Sequence, residues 1–163
     1  MGHRAIVYGR VQSDREPSQA TSPSLHEYNA IVLRSLPDRD DDWPFLTRHM
    51  FGVAEHPYQG LYKSQVIHFG ASFKDEPGQA GPWDLWLSKF EALLLRKLSW
   101  ISAIVHVETE FRPERVYVYR VDRESLGELQ LEVQQFGRGP TVSEVRWQRH
   151  QFDITQWRPD WLL

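Results

Sequence analysis

The sequence predicts an α+β domain, a mixed sheet with helices packed on one face, and three observations predict it. Residues 83–98 carry a 3.6-residue apolar period. Residues 66–73 and 101–111 carry a two-residue period, the latter rich in β-branched side chains. Segments of the two kinds alternate along the chain. At 163 residues the chain is of single-domain size, 1–163, and such a domain buries roughly 70% of the surface its unfolded chain exposes.

Ala5 to Val11 reads as a first strand, with Ile6 and Tyr8 alternating against Ala5, Val7 and Gly9. A polar loop, Gln12 to Ser24, leads to Ser24-Leu25-His26-Glu27, which matches a capping box at a helix start. Leu25, Tyr28, Val32 and Leu36 then follow on one stripe, and Pro37 disfavours helix at the residue before it. Asp38, Asp40, Asp41 and Asp42 form the densest acidic stretch, read either as a solvated loop or, beside Trp43, as a partner-facing patch. From Trp43 to Phe51 a short helix is favoured, with Asp42 as cap, Pro44 in the first turn and Gly52 as terminator; alternation of Phe45, Thr47, His49 and Phe51 also allows a strand.

Ala54 to Gly60 is expected to be loop and Leu61 to Phe73 a strand, in which Ile67, Phe69, Ala71 and Phe73 oppose Val66, His68, Gly70 and Ser72. In the next helix Trp83, Trp86, Leu87, Phe90, Leu93, Leu94 and Leu98 share one arc, while Leu85 and Leu95 fall off it. Asp84 in the first turn and Arg96 and Lys97 in the last complement the helix dipole. The following strand, Ile101 to Phe111, places Val105, Val107, Thr109 and Phe111 on one face and His106, Glu108 and Glu110 on the other. Strand, helix and strand make a βαβ unit, for which a right-handed crossover between parallel strands is expected.

Arg112-Pro-Glu-Arg115 has the length of a hairpin turn leading into a strand from Val116 to Val121. Leu126, Leu129, Val133 and Phe136 favour a helix, Thr141 to Arg149 a last strand, and the apolar tail Trp157 to Leu163 docking on the body. Two strand–helix units and a hairpin together predict a ferredoxin-like core with C-terminal additions.

The composition narrows function by exclusion. Without cysteine there is no disulfide, thiolate nucleophile or cysteine metal ligand. A net charge of −3 gives no general attraction to nucleic acid or anionic lipid, so neither nucleic acid nor membrane is an expected partner. No apolar run with a cleavage site opens the chain, and a cytoplasmic location is expected. The chain has no Gly-x-Ser-x-Gly elbow, P-loop or Gly-x-Gly-x-x-Gly fingerprint, and Tyr117, Tyr119 and Arg120 make only a thin version of a basic aromatic strip, read as sheet surface. Most of the seven Trp residues are read as core anchors, with Trp43 as the one suited to a binding surface.

One polar set invites chemistry. If His68 and Ser72 shared a sheet face with His106, Glu108 and Glu110, imidazole and carboxylate groups could converge on a metal or act as acid and base. The candidate ligands are His68, His106, Glu108 and Glu110, and the rival function is a small metal-dependent enzyme or metal-binding protein. An ordinary polar sheet face explains the same residues.

Tyr8-Gly-Arg10, Trp43-Pro-Phe-Leu46, His68-Phe-Gly-Ala-Ser-Phe73 and Trp86 followed by Phe90-Glu91 resemble small α+β immunity proteins of bacterial polymorphic-toxin systems. The resemblance spans roughly the first two thirds of the chain. It implies stoichiometric inhibition of a cognate protein toxin, for instance a nuclease of restriction-endonuclease-like fold, with no catalysis and no cofactor. The expected partner-binding residues are Asp38, Asp40, Asp41, Asp42 and Trp43, together with His106, Glu108 and Glu110.

Overall fold

The computed structural model describes residues 3–15, 25–53, 64–75, 82–110, 112–122 and 146–154. Strand β1 (His3–Arg15) is followed by helix α1 (Leu25–Arg34), a short 3₁₀ turn (Arg48–Met50) and strands β2 (Phe51–Val53) and β3 (Ser64–Asp75). Helix α2 (Pro82–Phe90) continues into a π-helical turn (Glu91–Leu95), and strands β4 (Ser102–Thr109), β5 (Arg112–Val121) and β6 (Trp147–Asp153) follow. All pairings are antiparallel, in the order β2-β3-β1-β4-β5-β6.

The α+β class is therefore as predicted, but the sheet is antiparallel rather than mixed. β3 and β4 each pair antiparallel with β1, so they run in the same direction with β1 lying between them. The segment between them passes over that central strand. Residue periodicity reports which face a strand buries and carries no information on its neighbour, which is why the intervening strand was not foreseen.

One face of the sheet holds the main core. Ala5, Val7 and Val11 of β1, Ile67, Phe69 and Phe73 of β3, Ala103, Val105 and Val107 of β4, and Tyr117, Tyr119 and Val121 of β5 are buried together with Val32, Leu36 and the apolar arc of α2. Aromatic rings tie the two layers. Trp86 stacks on Phe90 at 5.3 Å, and Phe69 packs against both. Asn29, fully buried on α1, accepts from the Ser99 backbone N–H at 2.9 Å and donates to its carbonyl at 3.0 Å, fixing the approach to β4. Such a side chain is stable inside only with its hydrogen bonds satisfied.

The π turn corrects one helical expectation. Leu85 is exposed as its position off the arc predicts, but Leu95 is fully buried. Arg96 N–H bonds to the Glu91 carbonyl, five residues back, and the wider turn rephases the helix so that Leu94 and Leu95 both face the core. The freed geometry is used, since the Trp100 indole N–H donates to the Leu95 carbonyl at 2.7 Å.

Other boundaries shift for local reasons. Trp43 to Phe51 is not a helix: the Trp43–Pro44 peptide is cis, the 3₁₀ turn covers only Arg48–Met50, and Phe51 begins a strand. Arg112 to Arg115 belongs to β5 instead of forming the turn. Thr109 pairs with Arg112 and Val107 with Arg115, so β5 carries one extra residue there, a bulge that accommodates Pro113 without a ladder N–H. The last strand begins at Trp147, later than the expected Thr141 start, and residues 141–145 lie outside the described residues. The polar loop expected over Gln12 to Ser24 starts later, because Gln12 to Arg15 continue β1 and pair with β3; its remainder, 16–24, the expected loop 54–60, the helix over 126–136 and the tail 157–163 also lie outside the described residues. Among the described residues, no helix is long and apolar enough to cross a membrane.

Candidate functional site

The acidic stretch is a braced loop on the helix-covered side of the sheet. The Arg48 backbone N–H closes it by bonding to the Pro37 carbonyl at 3.0 Å. At its centre Asp40 turns inward, accepting from Lys89 Nζ at 2.8 Å and from the backbone N–H groups of Leu46 at 2.9 Å and Asp42 at 3.0 Å. Lys89 also donates to the carbonyls of Asp42 and Pro44, and the Trp86 indole N–H donates to the Phe45 carbonyl at 3.1 Å. Both partners of the Asp40–Lys89 pair are largely shielded, at 14% and 17% exposure. Burial alone pushes the Asp40 carboxyl up, but Lys89 and the two backbone donors outweigh it and hold the group below its ordinary range.

Asp40 is thus a structural anchor of the loop, its carboxylate turned inward where the expected partner-facing patch has it outward. The other three carboxylates point outward. Asp38 pairs with Arg48 and with His49 at 3.2 Å, Asp41 pairs with Arg39 at 2.6 Å, and Asp42 is exposed. Trp43 is half-buried with its ring edge-on to Trp83, and Phe45 beside it is 38% exposed. The loop therefore presents carboxylates and aromatic surface from a backbone that Lys89 and Trp86 hold in place.

A second constellation stands on the opposite face of the sheet. His106 and Tyr8 are directly paired across β4 and β1, and their rings lie 4.7 Å apart and within 9° of parallel. Glu114 Oε1 bonds to His106 Nδ1 at 2.6 Å and accepts from the Tyr8 hydroxyl at 2.8 Å. The bulge in β5 brings Glu114 to this position. Burial, the Glu114 hydrogen bond and the charges of Glu114 and Glu108 push the Tyr8 hydroxyl up to about 12.

His68 and His106 do share this face, as the metal reading requires, but the register keeps them apart. His68 pairs with Arg10 and His106 with Tyr8, so two strand spacings, roughly 10 Å, and a two-residue offset separate them. Glu110 lies past the end of β4 and leaves the row of His106 and Glu108. Among the described residues no three His, Asp or Glu groups are placed to hold a metal ion. The carboxylate that His106 meets is Glu114, which the expected turn had hidden.

A third cluster ties β6 to α2. Glu91, in the first turn of the π segment, accepts from the Tyr119 hydroxyl at 3.0 Å and from Arg149 at 2.8 Å. Burial, then the Glu91 charge, moves the Tyr119 hydroxyl well above the ordinary tyrosine range. The sequence signal for Lys89, Glu114 and Glu91 was weak, because each is a polar residue on an otherwise amphipathic element. Comparison of the chain with family models, with curated proteins and with solved structures finds no match.

Proposed function

We propose that the chain is an immunity-type inhibitor that neutralises a cognate bacterial toxin by stoichiometric binding in the cytoplasm, with loop 38–45 as its contact surface. The observation that carries this reading is the bracing of the loop by Lys89, Asp40 and Trp86. A segment held in its bound conformation loses less conformational entropy on association. Outward carboxylates beside Trp43 and Phe45 suit a basic partner surface, such as the substrate cleft of a nuclease. We also read β1 to β4 with α1 and α2 as a ferredoxin-like core, to which β5 and β6 add at the β4 edge; the strand order supports this.

Co-expression with the product of the adjacent gene is the direct test. Rescue of growth and a purified one-to-one complex are the expected results. Asp41→Lys with Asp42→Lys should weaken that complex about tenfold or more by reversing charge at the contact, whereas Glu108→Gln should leave it unchanged. A complex that forms with full affinity in the charge-reversed variant would remove the loop from the interface. Failure to bind any neighbouring gene product would remove the inhibitor reading itself.

A further inference from the structure

Leu85 is 49% exposed on α2, and Phe45 is 38% exposed in the loop. A lone exposed apolar side chain is ordinary on a protein surface, whereas a contiguous group of them marks an interaction site. The helix decides whether these two are contiguous. Successive helical residues turn by about 100°, so Leu85 and Lys89, four apart, stand on one stripe, with Trp86 beside them and Trp83 beyond it. The loop runs along that side of α2. Lys89 Nζ donates to the Asp42 carbonyl and, at 3.3 Å, to the Pro44 carbonyl. The Trp86 indole donates to the Phe45 carbonyl at 3.1 Å, and the Trp43 ring meets Trp83 edge-on at 6.1 Å.

A helical side chain leans towards the N-terminus of its helix and covers the turn before its own. The Lys89 ammonium, and with it the backbone of Asp42 and Pro44, therefore lies over the turn that carries Leu85. Leu85 flanks the loop beside Phe45, and the half-buried Trp43 completes an apolar patch shared by two elements.

The uncompensated charge around this patch is of one sign. Lys89 is drawn beneath the loop onto Asp40, is 17% exposed, and is neutralised there. Arg39 is paired with Asp41 and Arg48 with Asp38. Asp42 and Asp84, both exposed, have no ion-pair partner among the described residues. Asp42 precedes Trp43 and Asp84 precedes Leu85, so unpaired carboxylates stand next to two of the three apolar side chains. Covering the patch with a neutral or acidic surface would desolvate those carboxylates without a partner, whereas arginine or lysine would satisfy them.

We propose that Trp43, Phe45 and Leu85 anchor a protein-docking surface that takes an apolar side chain flanked by arginine or lysine, with the flanking cations on Asp42 and Asp84. This surface rests on the reading of loop 38–45 as the contact region and extends it onto α2. It gives the partner a chemistry, apolar at the centre and basic at the rim. Asp40 and Lys89 are positioning residues for it, because they hold the loop backbone against the turn that bears Leu85.

The test titrates the full chain, labelled with 15N, with three blocked peptides followed by NMR. The first is Arg-Arg-Leu-Phe-Arg-Arg, the second has Ser-Ser at its centre, and the third has glutamate in place of each arginine. Saturable shifts at the amides of residues 42–45 and 84–86 are expected with the first, binding about tenfold weaker or more with the second, and none with the third. Leu85→Ser should weaken the first peptide about tenfold, Leu85→Met should retain it, and Val66→Ser, on the opposite sheet face, should leave it unchanged. Leu85 is exposed, so its variants should fold as the parent chain does, which circular dichroism checks. Three results overturn the proposal: the first peptide does not bind saturably, it shifts only residues away from the patch, or the serine peptide binds as tightly. Leu85→Ser should likewise weaken a complex with the adjacent gene product. A complex weakened by Asp41→Lys with Asp42→Lys but indifferent to Leu85→Ser overturns the anchor and leaves the inhibitor reading standing. If no neighbouring gene product binds, the inhibitor reading falls, and the peptide titration decides the docking surface by itself.

Discussion

Loop 37–47 and the outward strip of β1 and β3 are both charged surfaces, but they are held in place by different means. The loop has no ladder to support it, and so an interior carboxylate, Asp40, takes two backbone N–H groups and the Lys89 ammonium while the remaining carboxylates face out. The strip inherits its order from the sheet, and its basic side chains need no interior partner. The overall charge of −3 conceals this separation of acidic and basic surfaces on opposite sides of one sheet. Charge arguments made on whole-chain totals therefore mislead here, in one direction for each surface.

The comparison is broken most severely by removing what supports the loop. Trp86 is fully buried, stacks on Phe90 and donates to the Phe45 carbonyl, so Trp86→Ala is expected to cost about 3–5 kcal/mol in denaturant unfolding. Asp40→Ala leaves Lys89 and two backbone donors without their acceptor in a shielded position, and should cost about 2–3 kcal/mol. An equal loss in Lys89→Met, with the double variant no worse than either, would identify the pair as one unit. The folded pKa of Asp40 is lowered, so its contribution is present above the unfolded value near about 4 and is lost as pH falls through the folded value. Asp40→Asn should flatten that acid limb; an unchanged acid profile would show that Asp40 does not stabilise the folded state as a carboxylate.

Much of the core was legible in the sequence because burial imposes a period. Trp83, Trp86, Leu87, Phe90, Leu94 and Leu98 were assigned to the core from spacing alone, as were Val105 and Val107, and all are buried. Leu95 was misassigned because the π turn changes the period locally, and no residue type announces it. The candidate sites were less legible for a related reason. Asp40 cannot be told from Asp38, Asp41 and Asp42 by composition, since its inward direction is set by a lysine 49 positions later. Glu114 was placed in a turn because Arg112-Pro-Glu-Arg115 reads as one, whereas a bulge turns it towards His106. Polar contacts between distant elements leave no periodic trace.

A smaller effect is expected where β6 meets the π turn. Glu91→Gln keeps the shape of the acceptor but removes its charge from Tyr119 and Arg149, and should cost about 1 kcal/mol. Native-state hydrogen exchange would localise the loss, with β6 amides opening more readily than those of β1. Equal acceleration in β1 would show instead that the whole sheet opens as one unit.

The smallest change sharpens the strip. Tyr8→Phe removes one hydroxyl from a ring that keeps its stack on His106, and the partly exposed bond to Glu114 makes an expected loss of about 0.5 kcal/mol at neutral pH. Its alkaline signature is clearer. Because the folded pKa is raised to about 12, the Tyr8 contribution is fully present below the unfolded value near about 10 and is lost as pH rises through about 12. Subtracting the tyrosinate absorbance titration of Tyr8→Phe from that of the parent chain should leave one late-titrating group, and Glu114→Gln should move that group earlier. If the difference titrates near the ordinary tyrosine value and Glu114→Gln leaves it there, the carboxylate does not hold Tyr8, and the ring on His106 is free to turn.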